Sequence, residues 1–404
     1  MAADRDPAAS GFQLADVRAL VSTEDEAAVE RLARAERVDG IVSPGTDWPV
    51  AVAARVAARI GLPHPLSPET AALAVSKLGQ RACLAAAGVP QPRHLVCRTA
   101  GEAAAAFAAL GGGALVLKPA DRQGQTGIGV ARSAEAAKAA LAVALAASRA
   151  GDCLAEELVE GVEVTVNAFS LAGHFVPLTV TDRVTDPALA FGVALAHVWP
   201  SALPAAQVAA AVAAARAAAA ALGVTDGPTY TQLVVGWDGA PRVIELAARL
   251  GGGHDAELCH AALGVDLAAL TVAAALGERV AVEAPGAAVT GAAGALGAAV
   301  AAGAVPAAGS APAVRGATTR FLVPAHPGRL VAVEGVEAAA ALPGIRRVRV
   351  YRQPGAQLGA LQRGADRVGA ILAVGASRTE AVERAGRAAE AVRFLTSDAR
   401  ADPA

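Results

Sequence analysis

A lysine at the end of an apolar run, followed by a glycine-rich loop, is the first feature of this chain that could do chemistry. Ala114–Leu117 predicts a buried strand, and Lys118 follows it directly. Glycines in a loop let successive backbone N–H groups converge on an anion. Their order matches neither the Walker A loop nor the Rossmann fingerprint. The segment therefore predicts either a flexible turn or an anion-binding loop that contains Gly124, Gln125, Thr126 and Gly127.

Lysine is scarce in this chain, so each lysine is informative. Of the 35 basic residues only three are lysines, Lys77, Lys118 and Lys138, and the others are arginines. A compact ammonium on a flexible stem differs from a guanidinium in what it can bind, so a retained lysine indicates a specific contact. Lys138 lies in an alanine-rich helical run, where we expect it to be solvated. Lys77 and Lys118 are therefore the candidate functional pair.

Three acids flank a short apolar step in the segment AEELVEGVE. Glu156 and Glu157 precede Leu158 and Val159, and Glu163 follows them. One interpretation is an exposed strand edge. The other is an adenine slot, in which the backbone around Leu158 and Val159 pairs with the base and Glu163 binds the ribose hydroxyls.

A predicted hairpin places Gln232 and Glu245 on partner strands, with its turn at Asp238-Gly239. A carboxylate at the inner end of an apolar strand is costly without a cation or hydrogen-bond donors. Hard oxygen ligands on adjacent strands suit Mg²⁺, which keeps waters and substrate phosphates in its other positions. The hairpin therefore predicts a magnesium site, with a salt bridge between Glu245 and Arg249 as the alternative.

Arg249 is followed at once by a glycine turn, Gly251, Gly252 and Gly253, and then by His254. A guanidinium beside a glycine turn is a good site for a phosphate or a carboxylate. We therefore expect Arg249 and this turn to contact an anionic group of the substrate.

The elements that must position these residues alternate between helix and strand in the first third of the chain, which predicts an α/β layer with a parallel sheet. Residues 93–155 predict a compact unit that could move as a lid. After about residue 285, strands and a final helix predict a separate α+β domain. We therefore predict a multidomain α/β and α+β protein with units at 1–68, 69–285 (lid 93–155) and 286–404.

Composition narrows the classes of function. The 404 residues are enough for two or three domains. The net charge of −2 and the lack of a basic block argue against a nucleic-acid partner. The N-terminal residues do not have the pattern of a signal peptide, and four scattered cysteines indicate a reducing cytoplasm. Residues 289–309 are uncharged, but their alanine, glycine and proline content predicts a linker rather than a membrane span.

The order of these features resembles the ATP-grasp superfamily over roughly residues 15–400. The resemblance implies the ATP-grasp fold, with ATP and Mg²⁺ as cofactors and Mn²⁺ as an alternative metal. It implies that Lys77 and Lys118 hold the α- and β-phosphates between a lid and a base domain, and that the glycine loop closes over them. It also implies that the last hairpin carries the metal ligands.

The resemblance further implies an enzyme that phosphorylates a carboxylate to an acylphosphate, which an amine then attacks. The segment 315–358 is similar to the terminal domain of L-amino-acid ligases. The leading hypothesis is therefore carboxylate–amine ligation on small molecules such as amino acids. Lys118 and Arg249 would be catalytic, and Arg249 and the turn at 251–253 would steer the acylphosphate. Relatives are often dimers, so a homodimer is expected.

In such a ligase, residues 180–204 would line the acceptor site, with Arg183 and His197 contacting substrate. A structural loop with a solvated Arg183 and a packed His197 is the alternative. Two other functions remain open, a carboxyphosphate-forming ligase of the biotin-carboxylase kind and a non-catalytic nucleotide-binding protein. RLGGGHD does not match the acidic and basic set that follows the metal strand in biotin carboxylases.

The chain departs from the family pattern in two ways. Gln232 stands where many relatives have an acid, although the carbamoyl-phosphate-synthetase branch uses glutamine. The chain also begins at what looks like the tail of a second strand. About one βα unit of the N-terminal domain is therefore expected to be missing, through truncation or a misassigned start.

Overall fold

The N-terminal region combines a small parallel sheet with four helices. The computed structural model of the chain describes residues 1–278, 280, 282 and 314–397. The predicted boundary at 285–286 and the uncharged stretch 289–309 lie outside these residues. In the small sheet, β1 (Ala2–Asp4) pairs in parallel with β2 (Arg18–Leu20). The helices are α1 (Glu26–Glu36), α2 (Asp47–Ile60), α3 (Pro68–Ala74) and α4 (Lys77–Ala86).

The start of α4 is fixed by a cap. The Ser76 side chain accepts a hydrogen bond from the Gly79 amide, which satisfies one of the free N–H groups of the first turn. Lys77 is therefore the first helical residue. Arg81 follows four residues later, so both side chains leave the same face of α4.

The region predicted as a lid contains a four-stranded antiparallel sheet in the order β3-β6-β4-β5, which we call the lid sheet, with two helices on one face. The helix-facing core includes Leu115, Leu117 and Leu141. Because side chains alternate along a strand, Lys118 points to the opposite face. The elements are β3 (His94–Cys97), α5 (Ala100–Ala109), β4 (Leu115–Pro119), β5 (Gly129–Ala131), α6 (Ala134–Ala147) and β6 (Cys153–Glu157).

An eight-stranded antiparallel sheet is the largest element of the fold, in the order β11-β10-β7-β8-β9-β12-β16-β14. Its first five strands along the chain are β7 (Gly161–Leu171), β8 (His174–Thr185), β9 (Ala194–Trp199), β10 (Gly227–Gly236) and β11 (Pro241–Ala247). The helices of this region are α7 (Ala205–Ala221), α8 (Asp255–Leu263) and α9 (Leu267–Ala275).

Strands from the C-terminal part of the chain complete this sheet. β12 (Gly316–Leu322) pairs with β9, with Thr319 opposite His197. Two further strands of this part of the chain also join the central sheet, and the other three form a separate three-stranded sheet. The remaining elements are β13 (Gly328–Glu334), α10 (Val336–Ala340), β14 (Ile345–Val350), β15 (Gln357–Leu358), β16 (Gly369–Gly375), α11 (Arg378–Ala391) and β17 (Arg393–Ser397).

The two faces of the central sheet differ in polarity. Val164, Val166 and Leu233 lie in the largest apolar core, together with residues of α2, α3, α4 and α7. Their neighbours along the strands, such as Thr165 and Gln232, face the other way because side chains alternate. We call this second face the polar face.

Among the helices that the structure describes, no single one is long and apolar enough to cross a membrane.

Candidate active site

Gln232 and Glu245 are register partners on β10 and β11, and Thr165 lies opposite Gln232 on β7. Directly opposed residues of antiparallel strands point to the same side of a sheet. The prediction that Gln232 and Glu245 share a face is therefore confirmed. Glu163, two residues before Thr165, lies on the same face, and its Oε2 accepts a hydrogen bond from Gln232 Nε2 at 3.4 Å.

Lys118 is buried in an ion-pair cluster between the lid sheet and α4. Its Nζ lies 2.7 Å from Glu156 Oε2, and Arg81 Nε donates to Glu156 Oε1 at 2.7 Å. Arg81 also donates to the carbonyls of Val243 and Ile244 on β11, at 3.0 and 2.7 Å. The cluster therefore connects the lid sheet and α4 to the β10–β11 hairpin.

Burial and the neighbouring charges shift the pKa values of Glu156 and Lys118 in this cluster. Burial alone would raise the pKa of Glu156, but Lys118 and Arg81 outweigh it and hold that pKa at about 2. Burial lowers the pKa of Lys118, and Glu156 offsets only part of this because the positive charge of Arg81 also lowers it. Glu156 is only 3% exposed, so the exposed-edge interpretation is wrong for this residue.

Lys77 lies beside the predicted metal ligand. Its Nζ is 3.1 Å from Glu245 Oε1 and also donates to the Arg122 carbonyl in the glycine-rich loop. Arg249 instead pairs with Asp47 at the N-terminus of α2. The alternative salt bridge between Glu245 and Arg249 is therefore wrong. Burial raises the pKa of Glu245, but Lys77 and Lys118 together bring it below its usual value.

These five side chains carry a surplus of positive charge. Lys77, Arg81 and Lys118 supply three cations, and Glu156 and Glu245 supply two carboxylates. In a region with little water a surplus cation attracts an anion more strongly than it would at the surface. This arrangement suits a polyphosphate.

The glycine-rich loop lies next to this cluster and has free backbone donors. Gly124, Gln125 and Gly127 all have positive φ, between 63° and 74°. Their amides make no hydrogen bond within the described part of the chain. A Cβ on Gly127 would lie 2.6 Å from Ala147 Cβ, so no larger residue fits without movement. Free amides in such a turn can converge on an anion. Thr126, by contrast, donates its amide to the Gln123 carbonyl at 3.4 Å.

The predicted adenine slot is only partly available. The Leu158 amide already donates to the Ala114 carbonyl at 2.8 Å, and the Glu157 carboxylate accepts from Arg93 Nε at 2.6 Å. Within the described chain the Val159 amide makes no hydrogen bond. Of the backbone donors at these two positions, only Val159 is free to pair with a base.

The glycine turn after Arg249 packs tightly on buried polar side chains. A Cβ on Gly251 would lie 2.3 Å from Asp255 Oδ2, and one on Gly253 would lie 2.4 Å from His197 Cε1. Gly252 has open space. Arg249 Nη1 also donates to the Leu250 carbonyl at 2.7 Å, which holds its guanidinium beside this turn. Burial opposes the charge of Arg249, but Asp47 raises its pKa above the usual value.

His197 and Arg183 are both buried on the polar face. His197 Nδ1 lies 2.8 Å from Asp255 Oδ1, and Asp255 also accepts from the Gly253 amide at 3.1 Å. Arg183 pairs with Glu163 and donates to the Gly192 carbonyl. The alternative of a solvated Arg183 is therefore wrong, whereas His197 is packed as that alternative expects. His254 Nε2 contacts the Tyr351 hydroxyl, and its Nδ1 is 3.2 Å from Glu257 Oε1.

The sequence analysis missed several partners of these residues. Arg81 could have been found, because it lies one helical turn after Lys77. Asp47 and Asp255 could not, because they meet Arg249 and His197 only through the fold. Phe321 and Arg367 were also missed, and they lie over the same polar face.

The oxygen donors fit a magnesium-type ion better than a zinc-type ion. Gln232 and Glu245 provide an amide and a carboxylate on one face. Among the described residues, no group of three or more His, Cys, Asp or Glu side chains could hold a metal. An ion that keeps waters and phosphate oxygens in its other positions needs only such a small protein contribution.

Comparison with known proteins finds a family match in the C-terminal part of the chain. Residues 320–397 match the family described as L-amino acid ligase C-terminal domain 2. An uncharacterized protein, y4rH, of Sinorhizobium fredii (strain NBRC 101917 / NGR234) is 27% identical over 372 residues, which cover 91% of this chain and 70% of that protein.

Two crystal structures show the same fold. The L-amino acid ligase from Bacillus licheniformis has a TM-score of 0.74 and 20% identity, covering 94% of this chain and 88% of that chain. The biotin carboxylase domain of the Hydrogenobacter thermophilus 2-oxoglutarate carboxylase was solved with MgADP, ADP and bicarbonate. It has a TM-score of 0.71 and 16% identity, covering 95% of this chain and 82% of that chain. The chain therefore shares the fold of these two enzymes, and its residues 320–397 match an L-amino acid ligase C-terminal domain.

Proposed function

We propose that this protein is an ATP- and Mg²⁺-dependent ligase that joins a carboxylate to an amine through an acylphosphate, with amino acids or similar small carboxylates as substrates. The observation that carries the proposal is the positively charged cluster around Lys77 and Lys118, which adjoins the Gln232–Glu245 pair. The C-terminal match to the L-amino acid ligase family supports amino acids as the substrate class.

In this proposal the chain holds the nucleotide along the edge of the polar face. Lys77 and Lys118 neutralise phosphate oxygens, and the free amides of the 124–127 loop donate to them. The Val159 amide pairs with the base, and Glu163 accepts from the ribose hydroxyls. Gln232 and Glu245 hold the ion. When bound, Mg²⁺ or Mn²⁺ supplies Lewis-acid stabilisation of charge on the phosphoryl oxygens.

The chemistry then takes place in two steps. A carboxylate oxygen of the first substrate bonds to the γ-phosphorus, and ADP leaves with the electrons of the broken P–O bond. The amine of the second substrate then bonds to the acyl carbon, and inorganic phosphate leaves. The amine proton is lost to solvent or to phosphate. Arg249, held by Asp47 and next to the glycine turn, is placed to bind the acylphosphate.

The test is ADP release by the purified chain with Mg·ATP. Amino acids are offered singly and in pairs, and ATP binding is followed in parallel by calorimetry. Release that requires a carboxylate and an amine together, with a condensed product in the mass spectrum, supports the proposal. Release that requires bicarbonate indicates carboxyphosphate formation instead. ATP binding without turnover under any of these conditions indicates a non-catalytic nucleotide-binding protein.

A further inference from the structure

Arg367 lies over the polar face without a carboxylate partner among the described residues. It follows a short 3-10 turn at Gly364–Asp366, and its Nε donates to the Gly364 carbonyl at 2.9 Å. Its Cζ lies 3.8 Å from the ring centroid of Phe321, so the guanidinium rests on the aromatic face. One carbonyl and one ring leave most of its five N–H donors unused.

The surroundings of Arg367 make this lack of an anion costly. Burial is the main reason that its pKa falls to about 10. The Tyr351 hydroxyl opposes this shift, and the nearby cation of Arg183 adds to it. Arg183 is already matched by Glu163, so the two guanidiniums do not share a counter-ion. A half-buried cation in this position is stabilised when an anion binds to it.

Phe321 and His197 connect Arg367 to the glycine turn that follows Arg249. Phe321 contacts His197 edge-on, with ring centroids 5.8 Å apart, and His197 lies directly under Gly253. The glycine-rich loop approaches the same 3-10 turn, because a Cβ on Gly364 would lie 3.5 Å from Gln125 Oε1 and 2.5 Å from Arg367 Nη2. The two guanidiniums differ in one respect, since Arg249 has the carboxylate of Asp47 and Arg367 has no carboxylate partner in the described part of the chain.

We propose that Arg367 binds the carboxylate of the amine-bearing substrate, so that the acceptor is an amino acid rather than a neutral amine. This inference rests on the proposed ligase function. The planar guanidinium can hold a carboxylate through two parallel hydrogen bonds, and the Phe321 ring fixes its plane. The carboxylate that is phosphorylated belongs to the other substrate, next to Arg249. Arg367 thereby directs the amine of the acceptor toward the glycine turn.

The experiment compares an acceptor amino acid with its carboxamide, using the full chain and the donor found in the ligation assay. In the wild type we expect kcat/KM for the acid to exceed that for the amide about 10- to 100-fold, the range for a charge-assisted pair. Arg367→Gln should abolish this preference by raising the KM of the acid, while the values for the amide, the donor and ATP stay within about threefold.

Two further variants make the result decisive. Arg367→Lys keeps the charge but loses the two parallel hydrogen bonds, so an intermediate preference is expected. Arg363→Gln alters an exposed arginine of the same loop that pairs only with Asp366, and should keep the preference. The proposal is overturned if Arg367→Gln keeps the preference for the acid, or if its effect falls on the KM of the donor. Failure of the wild type to ligate any pair counts against the proposed function itself, and is seen before any variant is made.

Discussion

Lys118 and Glu156 are diagonal neighbours on β4 and β6, and their charged atoms lie 2.7 Å apart in a site closed to solvent. Arg81 binds the other oxygen of the same carboxylate. One carboxylate thus serves two cations, and neither is fully neutralised. The buried pair therefore holds Lys118 in place and leaves part of its charge available to a phosphate.

Replacing Lys118 should remove activity without unfolding the protein. Lys118→Met keeps an unbranched side chain in the buried site, and Arg81 still pairs with Glu156. We expect ADP release to fall at least about 100-fold, which is the scale for losing one preorganised charge contact. The matched control is Lys138→Met, because Lys138 is exposed on α6 and contacts only Glu135. Steady-state ADP release by both variants is the measurement, and near-normal turnover of Lys118→Met would contradict the assignment.

Removing the shared carboxylate should destabilise the fold instead. Glu156→Gln leaves Arg81 and Lys118 buried together without an anion, and we expect a loss of about 3–5 kcal/mol in the free energy of unfolding. Glu135→Gln, at an exposed ion pair, should cost less than about 1 kcal/mol. Urea unfolding at neutral pH measures both.

The Glu156→Gln variant also tests the lowered pKa of Glu156. That pKa is about 2 in the folded chain against a usual value of 4.5. The carboxylate therefore adds stability above pH 4.5, which is lost as the pH falls from 4.5 toward 2. Glu156→Gln should lack this part of the acid transition. An unchanged acid profile in the variant would show that the cluster does not control it.

Local patterns allowed much of the candidate site to be predicted. The pairing of Gln232 with Glu245 follows from one turn and the alternation of two strands, which are adjacent in sequence. The loop at 124–127 is visible because glycine is needed where φ is positive. Long-range pairs could not be predicted, since Arg249 and Asp47 are 202 residues apart.

The register between distant strands was equally out of reach. The segment with Glu156 predicted either an adenine slot or an exposed strand edge. The β4–β6 pairing, which turns Glu156 toward Lys118, was not part of either interpretation. Likewise β12 joins β9 across more than 100 residues, so three C-terminal strands share the central sheet. Such pairings depend on the whole fold and not on local composition.

Replacing Glu245, the carboxylate of the proposed magnesium site, should raise the Mg²⁺ concentration that the enzyme needs for activity. Glu245→Gln takes one charge from the ligand set and frees Lys77 from its ion pair. We expect the half-saturating Mg²⁺ concentration to rise at least about tenfold, because a carboxylate binds this hard cation more strongly than an amide does. Glu337→Gln, at an exposed position on α10, is the control. A magnesium titration of ADP release at fixed ATP decides the point, and an unchanged midpoint in Glu245→Gln would remove Glu245 from the ligand set.

The glycine turn offers a test in which two neighbouring substitutions should behave differently. In Gly253→Ala the new methyl would lie 2.4 Å from His197 Cε1 and 3.0 Å from Asp255 Oδ2, so the turn or the buried pair must move. We expect a loss of about 1–3 kcal/mol in the free energy of unfolding, as for other overpacked sites. Gly252→Ala meets nothing within 4 Å and should change this free energy by less than about 0.5 kcal/mol. Urea unfolding of the two variants is the measurement. Equal stability would mean that the turn does not pack on His197, and the contact between this turn and the polar face would have to be abandoned.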